Sequence, residues 1–459
     1  MTIVAQGITE QLVEHVIELP GQRIPEDARE ATKRLFLDFL AVALGGRWLA
    51  GSSSVILQGT KLLAGSGSGP CTIVGEEAKY PPQYAALANA AMVHSMDFDD
   101  THQAAYLHPG APVFATLLAL AEAEGTRGED FLTAAVVGYD LACKVGRVPG
   151  NGLIKSGFHP TGVVGIFGAT AAGARLLGFS REQTVNALGI NISQAAGTMQ
   201  FLENGAWTKR LHVGLIAHNA IYALTYARLG FRGSANPLEG RDGFYRCFAG
   251  EERPALELAV EGLGSEFEVL NTAIKPYPCC RMIQSSIDAV RTIREDRGLT
   301  PGDVEEVDVT LSPEGYRIVG DPPEAKRAAA TEVEGQFSLY FGLAATLVDG
   351  NHNWQSYRLL GEPVVQDLMQ RVTARPDESL RGFECRLSIV TKGGERFTHD
   401  VAFPKGEPEN PLSWEDLESK LRSLAQEPLG AQRVERLIGL VRDLESLDDL
   451  REVTELLRP

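Results

Sequence analysis

The sequence predicts a mainly α-helical protein with a smaller α+β domain inserted towards its carboxyl end. Apolar residues recur with helical spacing through most of residues 1–265. Near residue 266 the pattern changes, because three stretches alternate apolar and polar residues with the period of two that is typical of strands. Charged amphipathic helices then return. We therefore expect a large all-helical domain built from residues 1–265 and the tail 404–459, and an α+β domain at residues 266–403.

Glycine positions guide the prediction within the helical domain. Residues 27–45 have the spacing of an amphipathic helix, which we expect to end at Gly45-Gly46. The apolar segment GVVGIFG at 162–168 places glycines three residues apart. A glycine costs a helix ~1 kcal/mol relative to alanine, so this spacing indicates close approach of a neighbouring backbone.

The α+β domain is indicated by strand-like alternation at residues 267–278, 304–313 and 385–403, the last of which contains the hairpin signal KGGE. Helical spacing at residues 285–296 and 337–350 lies between these stretches. The mixture predicts a second hydrophobic core with its own sheet.

Composition excludes several classes of function. The net charge of −17 argues against nucleic acid as a partner, although a local basic pocket can still bind a small anion. The six cysteines are sparse and form no CxxC pair, which predicts free thiols in a reducing compartment rather than a thiolate metal site. No apolar run approaches the roughly 20 residues that span a bilayer. We expect a cytoplasmic protein without a membrane partner.

The segment from His94 to His108, HSMDFDDTHQAAYLH, concentrates three carboxylates, three histidines and a threonine between two apolar helices. Such groups line a cavity or remain unpaired at high cost. If the first part is helical, His94, Asp97 and Thr101 share one face. The side chains suit a metal site, a structural polar network or a metal-free acid–base site. Because their spacing matches no known metal motif, we prefer the acid–base site and expect no metal.

Three other segments carry candidate residues. His159 in GFHPTG precedes a proline on a turn before a helix, where it is either a core histidine or placed to contact a ligand. Lys209 begins an apolar helix, where a cation opposes the dipole and makes sense if it faces a carboxylate rather than solvent. In PYPCCRM, Arg281 suits a bidentate carboxylate clamp, and Cys280 is a less favoured nucleophile.

Taken together, these segments resemble the MmgE/PrpD family over nearly the full chain. The resemblance is carried by ALANAAMVHSMDFDDTH, HPGAPV, GFHPTGVVGIFGATAAGARLLG, TKRLHVG, LEGRDGF, IKPYPCCRM, FSLYFGLAATLVDG and KGEPENPLS. It implies a large helical domain with a smaller α+β lid, a homodimer and chemistry without a cofactor. The family's active-site positions fall on Asp97 and Thr101 in DFDDT, His108 in HPG, His159 in FHP and Lys209 in TKRLH.

Two positions depart from the family pattern. Gln284 stands where members often have a histidine, and Phe341 where they often have a tyrosine, with Tyr340 one position earlier. For this reason the resemblance does not decide between the dehydratase, decarboxylase and epimerase activities of the family. A non-catalytic, metabolite-binding relative is a further alternative.

The chemistry that these activities share is a proton transfer at a carbon α to a carboxylate in a small di- or tricarboxylic acid. We expect Lys209 and Arg281 to hold substrate carboxylates, with Thr101, His102 and Cys280 as further substrate-binding residues.

Two histidines would move the proton. Either His159 or His108 would act as the base and the other as the acid, and Asp97 would orient and tune one of them. A lyase of the 2-methylcitrate dehydratase type is our first hypothesis. An epimerase of the iminodisuccinate type or a decarboxylase of the cis-aconitate type is the second.

Overall fold

The computed structural model describes residues 7–65, 67, 69–249 and 255–459. The chain forms two compact units. The first unit comprises Met1–Gln200, Trp207–Ala273 and Ser413–Pro459, and the second comprises Phe201–Ala206 and Ile274–Leu412. These bounds lie a few residues beyond the sequence-based boundaries at 265/266 and 403/404, and the short segment 201–206 was not expected in the second unit.

The first unit is built from helices. Those that precede the second unit in the described chain are α1 (Ile8–Glu18), α2 (Glu26–Leu49), α3 (Gly51–Ala64), α4 (Pro82–Ser95), α5 (Gly110–Glu124), α6 (Gly128–Arg147), α7 (Gly152–Lys155), α8 (Pro160–Leu176), α9 (Arg181–Asn191) and α10 (Thr208–Arg228). Two antiparallel pairs of two-residue strands join them: β1 (Cys71–Thr72) with β2 (Lys79–Tyr80), and β3 (Thr101–His102) with β4 (Thr272–Ala273). The expected all-helical domain therefore also contains small strand pairs.

Helix α8 lies at the centre of this unit and shows why its glycines are spaced by three. A Cβ atom on Gly168 would lie 2.6 Å from the carbonyl oxygen of Gly138 in α6, and one on Gly162 would lie 2.6 Å from the carbonyl oxygen of Ala196. On Gly165 it would meet the side chain of Ile216 in α10 at 3.0 Å. The predicted close approach is confirmed, but the three glycines face three different neighbours.

Helix α2 does not end at Gly45-Gly46 as predicted; it continues to Leu49. The glycines serve packing instead of termination, because a Cβ atom on Gly46 would lie 2.1 Å from the carbonyl oxygen of Met92 in α4. This close contact between α2 and α4 lies within one helical turn of His94, the histidine of α4.

The second unit has the mixed composition that the alternating patterns predicted. Its helices are α11 (Arg281–Arg297), α12 (Pro313–Gly315), α13 (Pro323–Arg327), α14 (Glu332–Gln336), α15 (Leu339–Asp349) and α16 (Pro363–Gln370). Its strands are β5 (Val304–Leu311), β6 (Val372–Pro376), β7 (Cys385–Thr391) and β8 (Arg396–Val401).

These four strands form one sheet in the order β6-β5-β7-β8, in which β5 and β6 are parallel and the other pairs antiparallel. The KGGE hairpin is confirmed, since β7 and β8 flank it. The strand predicted at 267–278 is wrong: only β4 forms there, after the 3-10 helix Glu268–Asn271. Most residues of this stretch are buried in a turn, and buried turns can show the same alternation of apolar and polar residues as a strand.

The tail returns to the first unit as α17 (Trp414–Leu429), α18 (Ala431–Arg442) and α19 (Arg451–Leu456). Ser413 caps α17, with Asp416 completing a capping box. The buried Lys420 of α17 donates to Asp38 of α2 at 2.6 Å and to the carbonyl oxygen of Phe98 at 2.9 Å. The predicted fold class, a helical domain closed by the tail plus a smaller α+β part, is confirmed.

Within the described chain, no single helix is long and apolar enough to cross a bilayer. Helices α2 and α3 have the length and composition of a membrane span only when they are taken together, and a bend of 90° separates them.

The Gly46 crossing generates a stability prediction. Gly46→Ala should lower the free energy of unfolding by about 1–3 kcal/mol, because the added methyl group overlaps the Met92 backbone, which cannot rotate away. Gly59→Ala in α3 is the matched control: no atom lies within 4 Å of the added Cβ, so helix propensity should raise stability by up to ~1 kcal/mol. Denaturant unfolding of both variants measures the difference. Equal stability of the two variants would contradict the packing argument.

Candidate active site

A short loop between α4 and β3 begins the candidate active site. Helix α4 ends at Ser95, and Asp97 adopts a left-handed conformation with φ of 50°. Aspartate tolerates this region better than most residues, because its short polar side chain bonds locally. The helix expected to place His94, Asp97 and Thr101 on one face therefore stops before Asp97, and the consecutive acidic residues turn in different directions.

Asp97 and Asp100 are both buried and reach different helices. Asp97 accepts a hydrogen bond from the ammonium group of Lys209 in α10. Asp100 accepts from the backbone amide of Gly110 at 3.0 Å and from the Tyr139 hydroxyl, and so connects the start of α5 to α6. Burial raises the pKa of Asp100 to about 8. Asp97 thus balances a cation, whereas Asp100 holds helices together.

Asp99 lies between two histidines. Its Oδ2 atom is 2.7 Å from Nδ1 of His94, and its Oδ1 atom is 3.4 Å from Nδ1 of His108. The second distance is longer than an ordinary hydrogen bond, as catalytic contacts often are before a ligand binds. Burial by itself would raise the pKa of Asp99, but His94 and His108 bring it well below its usual value.

Four imidazole rings form a row through the site. The ring centroid of His94 lies 4.8 Å from that of His108 and 5.6 Å from that of His159, and His159 lies 5.5 Å from His212. His159 is the N-cap residue of α8, and its Nδ1 is 3.4 Å from Nδ1 of His212 in α10. The backbone amide of His108 donates to the Thr161 hydroxyl at 3.0 Å, which ties the HPG and FHPTG segments together.

The environment disfavours the charged form of three of these rings, His94, His159 and His212. Burial lowers the pKa of His94 to about 4, against an opposing effect of Asp99. The pKa of His159 also lies well below its ordinary value, because burial, His94 and Lys209 all disfavour the imidazolium form. His212 shifts in the same direction through burial and Lys209. The site therefore offers neutral imidazoles next to one ammonium group.

Among the described residues, the buried polar atoms without a hydrogen-bond partner include the Thr101 hydroxyl oxygen, Nε2 of His94 and Oδ1 of Asp99. All three residues are less than a tenth exposed. A buried polar group without a partner is costly, so such atoms mark where a ligand or an ordered water supplies the missing bond.

His102 belongs to a different network. Its Nε2 is 2.9 Å from Glu268, and its Nδ1 accepts from the backbone amide of Ala105. Glu268 also accepts hydrogen bonds from Lys144 at 3.2 Å and from Arg147 at 2.9 Å. Burial would raise the pKa of Glu268, but its hydrogen bond with His102 and the neighbouring cations bring it below its usual value. Both ring nitrogens of His102 are therefore occupied by the protein.

Comparison with known proteins identifies the family of this chain. The model of the MmgE/PrpD N-terminal domain matches residues 10–257, and that of the MmgE/PrpD C-terminal domain matches residues 277–446. The chain belongs to the MmgE/PrpD family. The resemblance recognised from DFDDTH and FHPTG is thereby confirmed.

Several curated MmgE/PrpD relatives are similar to this chain over its whole length. The cis-aconitate decarboxylase of Aspergillus terreus is 29% identical, with 98% of this chain and 96% of the relative covered. The cis-aconitate decarboxylases of Homo sapiens and Mus musculus are each 30% identical, with 99% of this chain and 95% and 94% of the relatives covered.

Arg281 and Cys280, both predicted to bind substrate, lie in the second unit. The Arg281 guanidinium is buried and donates to Glu407 at 2.7 Å through Nε and to the carbonyl oxygen of Lys405 at 3.0 Å through Nη1. Glu407 therefore already neutralises the expected clamp. Cys280 is a partly exposed free thiol at the N-cap of α11. All six cysteines are free, as predicted.

The two departures from the MmgE/PrpD pattern have structural explanations. The Gln284 side chain donates to the carbonyl oxygens of Tyr277 and Cys279 and accepts from Arg281, so it fixes the turn before α11. The Phe341 ring is stacked on Tyr357, with 5.6 Å between the centroids, and meets the buried His352 edge-on. Both residues therefore stabilise the second unit.

One group in the described chain has donor atoms close enough to suggest a metal ion. Ligand atoms of His94, Asp99 and His108 lie within 4.8 Å of one another. However, Asp99 and His94 are already at the distance of a direct hydrogen bond, which leaves no room for an ion between these two atoms. We interpret the group as a hydrogen-bonded chain, and the metal-free chemistry expected from the sequence stays a prediction.

The sequence alone assigns no role to two histidines of the row, His94 and His212, or to Asp99, which lies between His94 and His108. The available signal was the local motif HSMDFDD, in which a histidine and an aspartate lie five residues apart. Their contact requires the turn at Asp97, which no helical periodicity predicts.

The electrostatics predict proton uptake on ligand binding. A tricarboxylate bound beside Lys209 brings negative charge to imidazoles that burial keeps neutral, and this charge raises their pKa. The complex then holds more protons than the free protein, so affinity should increase as the pH falls through the raised pKa of these rings in the complex. Asp97 and Asp99 are the negative groups, and Lys209 the positive one, that already face the rings.

Titration calorimetry with citrate in two buffers of different ionisation enthalpy measures this uptake. The binding heat should depend on the buffer in the direction of protons taken from it. A heat independent of the buffer would contradict the neutral state of the rings.

Proposed function

We propose that this chain is a lyase that acts on a small tricarboxylic acid by proton transfer at a carbon α to a carboxylate. The supporting observation is the row of histidines beside the Lys209–Asp97 pair, in which His94 and His159 are buried and have a lowered pKa. The relatives named cis-aconitate decarboxylase make decarboxylation of cis-aconitate the first reaction to test. The earlier first choice, 2-methylcitrate dehydration, becomes the second candidate.

Decarboxylation needs little more than an acid and a cation. In cis-aconitate one carboxylate is attached to the methylene carbon next to the double bond. When that carbon–carbon bond breaks, carbon dioxide leaves and the bonding pair forms a new double bond to the methylene carbon. The electron pair of the former double bond moves to the double-bond carbon that is not attached to the methylene group. This carbon lies α to another carboxylate and takes up one proton. Charge and atoms balance with a dicarboxylate that carries a terminal methylene group.

The site residues divide into binding and proton transfer. Lys209 and the Thr101 hydroxyl hold substrate carboxylates, since the first carries the charge and the second lacks a protein partner in the described chain. His159 and His108 exchange the proton, with the imidazolium formed as the substrate binds. Asp97 balances the charge of Lys209 in the empty site.

His102, Arg281 and Cys280 are not part of this proposal. Glu268 is hydrogen-bonded to His102, and Glu407 is paired with Arg281, so we assign both residues to internal networks of the protein. The role of Cys280 in substrate binding stays a prediction from the sequence.

One observation favours the second candidate, a hydro-lyase of the 2-methylcitrate type. Nε2 of His94 is a buried acceptor without a partner in the described residues, and a tertiary hydroxyl group on the substrate would donate to it. In that reaction a histidine removes the α-proton, and the hydroxyl group leaves as water after it gains a proton. cis-Aconitate carries no hydroxyl group and would leave this atom to a water molecule.

The function is tested by proton NMR of the purified protein in D₂O with cis-aconitate, 2-methylcitrate, citrate and iminodisuccinate. A terminal methylene product with loss of carbon dioxide supports decarboxylation, and a new internal alkene from 2-methylcitrate supports dehydration. Turnover that persists in the presence of a chelator is expected, because no step uses a metal. No product and no deuterium incorporation with any of the four acids would overturn the proposal.

Substitution of the site residues should separate chemistry from folding. His159→Ala should lower kcat by ~10²-fold or more, because proton transfer loses its side chain. Lys209→Ala should lower kcat/KM by ~10²–10³-fold, because the developing negative charge loses its cation. Lys155→Ala, an exposed lysine of α7, is the matched control and should retain full activity. Steady-state rates on the substrate found by NMR provide the measurement, and full activity in both site variants would refute the assigned roles.

A further inference from the structure

We infer that Asp99 positions the imidazoles of both His94 and His108, and that His94 is a further functional histidine whose Nε2 accepts a hydrogen bond from a hydroxyl group of the ligand or from a water molecule held with it. This inference rests on the proposed function, because it concerns the same site. It reassigns the orienting role that the sequence suggested for Asp97.

The first step of the argument is the position of the Asp99 carboxylate. One oxygen lies 2.7 Å from Nδ1 of His94 and the other 3.4 Å from Nδ1 of His108, and the side chain is 2% exposed. An ionised carboxylate only accepts hydrogen bonds, so each imidazole turns a protonated Nδ1 towards it. Asp99 therefore fixes the tautomer of His94 through a direct hydrogen bond, and its second oxygen, 3.4 Å from His108, favours the same tautomer in that ring.

The second step concerns the opposite side of each ring. A neutral imidazole with a protonated Nδ1 carries a lone pair on Nε2. For His108 this nitrogen is then in the form that a general base requires. For His94 it is a buried acceptor without a partner in the described chain. A ligand that donates an O–H group, or a water held with it, would supply the missing hydrogen bond.

The third step is the rigidity of the support. Asp99 follows Phe98, whose carbonyl oxygen accepts from Lys420, and precedes Asp100, which is held by Gly110 and Tyr139. The backbone on both sides of Asp99 is therefore fixed by side chains from other helices. A carboxylate held in this way can orient an imidazole, because its own position is determined before the ligand arrives.

Asp97 provides the contrast within the same loop. Its carboxylate accepts from Lys209, and its direction is set by the left-handed backbone conformation. Asp97 is thus assigned to Lys209, the cation that binds substrate, and Asp99 to the imidazoles of His94 and His108.

The test compares Asp99→Asn with Asp97→Asn in the full chain. In Asp99→Asn the amide group presents a donor to one ring and forces the other tautomer on it. We expect kcat to fall by ~10²-fold or more with KM changed by less than about threefold, because the wrong tautomer loses its base. Asp97→Asn should change KM more than kcat. Thermal unfolding of both variants checks that the fold persists.

Nitrogen NMR of the histidine side chains makes the test independent of turnover. In the native protein, Nδ1 of His94 and His108 should be protonated and Nε2 unprotonated, and Asp99→Asn should change this pattern. An unchanged pattern together with an unchanged kcat would overturn the inference, as would a tautomer change in Asp97→Asn instead. If none of the four acids reacts but the pattern changes as expected, the proposed function fails and the positioning role stands.

His94→Asn isolates the ligand contact. The asparagine amide can still donate to Asp99, so the His108 tautomer should be preserved, but the Nε2 acceptor is lost. We expect KM to rise about tenfold, as loss of one hydrogen bond predicts. Unchanged kinetics in this variant would show that His94 has only a structural role.

Discussion

The candidate site depends on one backbone turn, at Asp97, where the chain leaves α4 in a left-handed conformation. In a continued helix, consecutive side chains would be distributed around one axis, and Asp97 and Asp100 would lie on neighbouring positions of one face. The turn instead sends Asp97 to α10, Asp99 to two histidines and Asp100 to α5 and α6. A non-glycine residue in this conformation costs roughly 1–3 kcal/mol, which the buried ion pair and hydrogen bonds of the loop offset.

Three carboxylates within four buried residues are tolerable only because each has donors. Removing a partner from a buried ion pair typically costs about 3–5 kcal/mol, so the loop is sensitive to every helix that supplies a donor. One of these donors comes from the tail: Lys420 holds the carbonyl oxygen of Phe98 and pairs with Asp38. The division of the helical domain into two distant chain segments therefore has a chemical consequence, because the loop reaches its final position only when the tail is in place.

Local sequence patterns predicted the secondary-structure elements and the family, but not which charged side chains form ion pairs. The helices, the β7–β8 hairpin and the active-site positions of the family could be recognised because each depends on residues close in sequence. The partners of His102 and Arg281 could not, since Glu268 and Glu407 lie 166 and 126 positions away. The prediction that α2 ends at Gly45-Gly46 was wrong for another reason. A pair of glycines either ends a helix or lets two helices pack closely, and only the position of Met92 in α4 decides between these two roles.

Under the proposed function, the substrate itself supplies the negative charge that favours a protonated imidazole. Burial lowers the pKa of His94 and of His159 in the empty site, so His159 would become an acid only when substrate carboxylates lie beside it. A tricarboxylate does this more strongly than a dicarboxylate, which favours the larger anion without a dedicated contact for each charge. Under the proposed function, the same loaded site would serve decarboxylation, which needs an acid, or elimination, which would also need the base that we infer Asp99 to prepare at His108. The presence of a hydroxyl leaving group on the substrate then selects between the two outcomes, and the unpartnered Nε2 of His94 is the atom that would detect it.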